Sequence, residues 1–332
     1  MNSSRQNRLF LDSASSSHVS PDLNPDASLR TALDAYEHYL REEAVNKNTG
    51  LSLSENTQKA FLSDIRLLGD YLGIGQPVGA VSTANLNEFL EWLVKGRGIP
   101  CSRKSYARRV TTLKHFFAYV QSKGARPDNP AEAVIQISVS SPLPDLPTDS
   151  QLDQALSVTK GIMKGYGGQK PDSRPHLLLS LLLQTGIKKQ EAMRIVRYHI
   201  IRDDPLSPVL FIPYSTRKER AYKERRLPLE PSWLDTLDNY LEQYQPSDRL
   251  FTCTARNLEY ILTNVGEEIG LSQGSLSFEN LRWVYALRLF RRGDSPKNIK
   301  RQLGLFDSSW RETKRKLEQL AEKREQPPIR VA

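Results

Sequence analysis

The segment from Ser138 to Asp149, SVSSPLPDLPTD, constrains this chain more than any other feature. Its three prolines each fix φ and lack an amide donor, so no helix or central strand runs through it. Apolar residues recur at helical spacing on both sides of it. Two separate cores are therefore expected, and 332 residues suffice for both. The spacing predicts a disordered tail over 1–27, a helical domain over 28–137 and an extended linker over 138–149. A second domain follows over 150–325, with a short tail over 326–332.

In the first domain Leu29, Leu33, Tyr36 and Leu40 mark one helix behind a Ser28 cap. Phe61, Ile65 and Leu68 mark a second. Thr83 is read as the cap of a third, which carries Leu86, Phe89, Leu90 and Leu93. Ser102 opens a fourth, with Tyr106, Val110, Leu113, Phe117 and Val120 on one face. Gly124 stops it, and Pro127 and Pro130 forbid a restart. Its polar face presents Arg103, Lys104, Arg108, Arg109 and Lys114, and no acidic residue falls between Ser102 and Lys123. Such a face repels itself unless a polyanion neutralises it. Over the whole chain Lys+Arg exceeds Asp+Glu by 47 to 38, a net charge of +9. That excess favours a polyanionic partner, and the unbalanced helix face points to DNA.

The second domain begins with a helix capped by Asp149 and carrying Leu152, Leu156 and Val158, then an apolar helix over Leu177–Leu183. Two strands follow, Val209–Pro213 and Arg226–Leu229, joined through STRKERAYKER. That stretch is too charged to bury and is read as a hairpin tip, with Arg217, Lys218, Arg220 and Lys223 as DNA contacts. Further helices are expected over 233–244, 258–269, 278–291, 296–303 and 309–323. The fold class is mainly α with a small β-hairpin.

Other function classes find no support. His18, His38, His115, His176 and His199 show no paired ligand spacing, so no metal site is expected. Neither GxxxxGK[ST] nor GxGxxG occurs, so no nucleotide cofactor is expected. Cys101 and Cys253 lack CxxC spacing and read as unpaired thiols of a reducing compartment. No apolar run of about 18 residues is present, so no membrane span is expected. The Ser-rich N-terminus lacks the apolar core of a secretory signal. A cytoplasmic, nucleoid-associated chain is the expectation.

The fourth helix with its trailing KGARPDNPA resembles the SAM-like core-binding domain of phage-integrase, or Xer-type, tyrosine recombinases. Three later segments extend the resemblance. LLLQTGIKKQEAMRI resembles the family's "TG-leucine-arginine-x-x-E" turn, and VLFIPYSTRKERAYKERRLPL its β-hairpin. SFENLRWVYALRLFRRGDSPKNIKRQLGLFDSSWRETKRKL resembles its closing block. The resemblance covers roughly residues 29–320. It implies a two-domain DNA clamp: a four-helix core-binding domain, then a catalytic-type α+β domain. In that family a tyrosine attacks the DNA phosphate and forms a covalent 3′-phosphotyrosyl link. Two arginines hold the nonbridging oxygens, a hairpin lysine protonates the leaving 5′ oxygen, and histidines assist.

Most of these positions are altered here. Lys188 stands where the first arginine is expected, and lysine lacks the bidentate fork. Arg282 retains the second arginine, but Glu279 and Leu305 replace the two histidines. The nucleophile's place falls at or beside Lys314, and no tyrosine follows Tyr285. Tyr285 shares a stripe with Leu281, Val284 and Leu289 and reads as core. Glu191 is expected to stay structural. The hairpin lysine corresponds to Lys218 or Lys223. The expected function is that of a pseudoenzyme of a mobile element, an accessory or architectural DNA-binding subunit in site-specific recombination and integration. Two alternatives stand beside it. One is a recombinase completed in trans by another tyrosine recombinase in a mixed synaptic complex, and the other a sequence-specific transcriptional repressor. The last helix, with Trp310, Leu317 and Leu320, either docks onto a neighbouring protomer or closes its own core.

Overall fold

A computed structural model describes residues 23–45, 52–134, 142–168, 170–214 and 218–325, without the side chains of 167, 218–220, 324 and 325. The chain forms two compact units, 1–141 and 142–332.

The first unit holds α1 (Leu29–Glu42), α2 (Glu55–Leu72), α3 (Thr83–Lys95) and α4 (Arg103–Ser122). Their apolar stripes converge on one core that includes Tyr36, Leu40, Ile65, Leu68, Phe89, Phe116 and Phe117. Ser28 and Ser102 cap α1 and α4 by accepting the amides of Thr31 and Ser105. The cap of α3 is Ser82 rather than Thr83, in a reciprocal capping box with Asn85. Thr83, one residue inside, instead donates to the Pro130 carbonyl at 2.8 Å. That bond helps fasten the segment after α4. Asn129 Nδ2 donates to the Lys114 carbonyl, and Arg126 donates to the carbonyls of Val78, Gly79 and Val81. The folded unit starts earlier than residue 28. Leu23 is 8% exposed in the core, and Val78 and Gly79 donate to the carbonyls of Ala27 and Pro25. Residues 1–22 and 326–332, read as tails, lie outside the described residues, as does 135–141.

The second unit is built around α6 (Arg174–Thr185). Its six leucines, Leu177, Leu178, Leu179, Leu181, Leu182 and Leu183, are buried, while His176, Ser180 and Gln184 form a polar, half-buried stripe. A helix with so wide an apolar face must be largely enclosed. Here α5 (Asp149–Lys164), α8 (Trp233–Tyr244), α9 (Ala255–Glu268) and α10 (Phe278–Arg291) enclose it together with strand β3. Three antiparallel strands lie in the order β1 (Ile200–Ile201), β2 (Val209–Ile212) and β3 (Arg225–Pro228). The register pairs Leu210 with Ile200 on one side and with Leu227 on the other. β1 is too short to show in the sequence, and β3 starts one residue before the predicted Arg226. A 3-10 turn over Lys218–Lys223 leads into β3. The four-residue α7 (Lys189–Ala192) follows α6, and α11 (Pro296–Gln302) follows α10.

Thr148, not Asp149, caps α5 through a capping box with Gln151. The described part of the linker belongs to this unit. Leu146 packs on its apolar clusters, and Asn280 Nδ2 donates to the Asp145 carbonyl at 3.1 Å. The last helix, α12 (Asp307–Glu325), buries Leu317 and Leu320 beside Leu287, Leu289, Ile299 and Leu303. It therefore closes its own core.

Between α6 and α7 the chain turns through Gly186 at φ +55°, where a Cβ would stand 2.5 Å from Tyr285 Cδ1. Gly186→Ala is expected to lower stability by roughly 1–3 kcal/mol from the positive φ and the forced ring displacement. A thermal-unfolding midpoint unchanged from the wild type would contradict this packing.

Candidate functional site

In the second unit the positions singled out in the sequence gather around one buried arginine that went unnoticed there. Arg225, whose side chain is 1% exposed, points inward from β3 because Arg225, Leu227 and Leu229 alternate toward the core. Its Nη1 and Nη2 donate to the two carboxylate oxygens of Glu191 at 3.1 and 2.8 Å. Nε donates to the Gln302 carbonyl at 2.7 Å, and Nη1 also reaches the Lys223 carbonyl at 2.9 Å. A bidentate buried pair of this kind fixes geometry as well as charge. Gly304, at φ +56°, leaves room for it: a Cβ there would stand 3.0 Å from Nη1. The clue in the sequence was an arginine in phase with Leu227 and Leu229, which a strand starting at Arg226 misses.

Glu191 Oε2, already paired with Arg225 Nη2, also accepts the Lys188 amide at 2.8 Å, while Oε1 accepts Arg225 Nη1. Burial pushes its carboxyl up, but the hydrogen bonds and charge of Arg225, with the Lys188 amide, hold it below the ordinary glutamate range. Its part in the site is thus to hold neighbours in place.

Arg282 reaches the same region from α10. Nη1 donates to the Gly186 carbonyl at 2.6 Å, and Nη2 donates to the Leu303 carbonyl. Burial, and then the charge of Arg225, hold its guanidinium below the usual arginine range, at about 10, while Glu191, Tyr285 and Glu279 favour the charged form. Lys188, at the start of α7, faces this guanidinium. Loss of solvation and then the charge of Arg282 hold its ammonium below the usual lysine range. Lys223 and Arg225 add to that effect and Glu191 opposes it. The lysine remains exposed, so the loss of water around its ammonium is partial. Lys188, Arg282, Lys223 and Arg225 are therefore four cations within mutual electrostatic reach, with Glu191 neutralising one. An anion placed against Lys188 relieves repulsion that the protein leaves in place.

Lys223 Nζ donates to Tyr214 Oη at 3.1 Å and lies 4.6 Å from that ring's centroid. Lys218 and Arg220 have side chains outside those described, and Arg217 lies wholly outside the described residues. Glu279 is exposed on the first turn of α10. Leu305 packs with Trp310 against the small apolar cluster of α10–α12. Lys314 is exposed on α12, with Glu318 at 3.5 Å. Tyr285 is buried, and its hydroxyl donates to Gln302 Oε1. Burial pushes this phenol up to about 12, so it is neither accessible nor ionised near neutral pH.

On the first unit, α4 carries its cations unevenly. Arg103 and Lys104 are exposed and meet no acidic partner among the described residues. Arg108 Nη2 donates to Asp64 Oδ1 at 2.8 Å. Arg109, only 12% exposed, pairs with the same carboxylate at 3.4 Å and donates to Cys101 Sγ. Lys114 meets Glu132 at 3.5 Å. The expectation that this helix lacks counter-charge is thus corrected: Asp64, buried on α2, provides it from a distant part of the chain. Arg109 is a core ion-pair member and not a surface contact. Burial raises the Asp64 carboxyl despite Arg108, Thr112 and Arg109, which pull it down. Among the described residues no group of three or more His, Cys, Asp or Glu could hold a metal, and no helix is long and apolar enough to cross a membrane.

Residues 33–124 match the family described as phage integrase, N-terminal SAM-like domain. A tyrosine recombinase of Thermosipho africanus is 23% identical over 259 residues, covering 76% of this chain and 85% of the relative. Tyrosine recombinase XerD of Listeria innocua is 24% identical over 291 residues, covering 83% and 91%. A lambda integrase dimer bound to a COC' core site shares the fold with a TM-score of 0.67 at 18% identity, covering 92% of this chain and 81% of that one. XerH recombinase bound to difH substrate gives a TM-score of 0.63 at 15% identity, covering 90% and 99%.

Glu191→Gln is expected to cost roughly 3–5 kcal/mol, because it leaves the Arg225 charge buried and unpaired. The wild-type carboxyl titrates below its unfolded value. Its contribution is therefore complete above the unfolded carboxylate range and fades as pH falls through the folded value. Denaturant melts across mildly acidic pH should show that fade in the wild type and not in the variant.

Proposed function

Because this chain belongs to the tyrosine recombinase family, we propose that it binds double-stranded DNA but leaves strand cleavage to other proteins. It serves as an accessory or architectural subunit in site-specific recombination or integration of a mobile element. The observation that carries this reading is the set of substitutions around an intact scaffold. The Arg225–Glu191 pair and the Arg282 anchor are in place, while Lys188, Glu279, Leu305 and Lys314 occupy the positions the family reserves for chemistry. Tyr285, the last tyrosine of the chain, does not replace the nucleophile expected at Lys314, because it is buried and hydrogen-bonded. Binding is separable from that loss, since phosphate contacts supply most of the affinity for duplex DNA. The relatives bound to core-site and difH DNA support duplex DNA as the ligand.

The test is a nicked suicide substrate carrying the element's own junction. No SDS-resistant protein–DNA adduct should form with this chain alone, whereas an adduct would refute the loss of cleavage. Binding should weaken as salt rises. Arg103→Ala and Lys104→Ala should each reduce the slope of log affinity against log salt by about 1. Arg109→Ala should instead lower the stability of the first unit, as befits its pairing with buried Asp64.

A further inference from the structure

Next to the cationic cluster is an aromatic pair for which phosphate binding has no use. Phe306, directly after Leu305, is 54% exposed. Its ring stands 5.5 Å from that of Tyr222, with the planes at 52°. Tyr222 comes from the 3-10 turn before β3, and Phe306 from the connection between α11 and α12. A large ring left half in water forgoes the burial that Trp233, Tyr240 and Phe251 obtain in this unit. Lys223 Nζ lies 5.7 Å from the Tyr222 ring centroid, which adds a cation to the rim.

A groove of about 910 Å³ opens beside the pair, with Tyr222 and Leu305 in its wall and Lys297, Lys300 and Arg301 presented by α11. Glu224 and Asp294 also line it. Asp294 is engaged by Arg292 at 2.7 Å, and Lys300 pairs with Asp307. Lys297 and Arg301 therefore remain without a carboxylate partner among the described residues. An aromatic face beside cations that line a groove is the combination that holds single-stranded nucleic acid.

We propose that Tyr222 and Phe306 form a stacking platform for an unpaired nucleobase, so that this face prefers DNA with an unpaired or displaced strand over continuous duplex. The inference rests on the reading of the neighbouring cluster as a DNA-phosphate site. In continuous duplex the base faces are already stacked on one another and cannot reach the rings. Acidic and basic groups nearly balance along the groove, so stacking supplies the preference. It should therefore persist at salt concentrations that weaken the phosphate contacts.

The experiment compares the full chain on a duplex with a short gap, containing 2-aminopurine in the unpaired stretch, with the fully paired duplex of the same sequence. The wild type should prefer the gapped DNA by about 5- to 150-fold, the range for stacking one base, and quench the probe. Tyr222→Ala and Phe306→Ala should each reduce the preference and the quenching while leaving duplex affinity unchanged. Phe306→Trp should preserve both, which separates stacking from a folding defect. Equal affinity of the wild type for the two DNAs, with duplex binding intact, would overturn the platform alone. No binding to either DNA would overturn the DNA reading and the platform with it.

Discussion

The second unit depends on one charge that water cannot reach. The Arg225 guanidinium is enclosed, and its needs are met by two oxygens of Glu191 and the carbonyls of Gln302 and Lys223. A buried cation tolerates few alternative arrangements, because each lost partner leaves a large desolvation cost unopposed. The start of α7, the entry to β3 and the end of α11 are therefore fixed relative to each other. Lys188 lies three residues from Glu191, Lys223 two from Arg225, and Leu305 three from Gln302. The placement of those positions follows from satisfying a single side chain.

What the sequence could reveal depended on how local the determining force was. The helices were legible because each buries a stripe with its own period. Tyr106, Val110, Leu113, Phe117 and Val120 predict α4 without reference to anything else. Caps were less secure: Ser82 and Thr148 each precede another residue able to cap, and the choice was made by Asn85 and Gln151 three positions on. Charge was least legible. Nothing near α4 indicated that Asp64, more than forty residues away by the spacing of its bond to Arg108, would remove Arg109 from the surface. The phase of Arg225 with Leu227 and Leu229 pointed inward, but nothing near β3 indicated that Glu191 would be its partner. Ion pairs of this type are decided by tertiary proximity, which periodicity does not encode.

The two units use their basic residues differently. On α4 the two cations at the N-terminal end have no carboxylate partner among the described residues, and Arg108, Arg109 and Lys114 further along are tied to carboxylates. A cation near a helix N-terminus is disfavoured by the helix dipole. Arg103 and Lys104 there are an electrostatic cost that only an external anion offsets. In the second unit the repulsion is concentrated instead between Lys188 and Arg282, where Glu191 opposes it for both and Glu279 for Arg282.

Arg282 spends its donors on the carbonyls of Gly186 and Leu303, joining the turn after α6 to the end of α11. An arginine anchored to main chain in this way serves the fold whether or not any phosphate is ever cut. Its presence in a related sequence is thus a poor witness to activity. Selection on the fold alone would retain it long after the chemistry had gone, and a search that takes this arginine as the mark of a working enzyme would count silent members among the active ones.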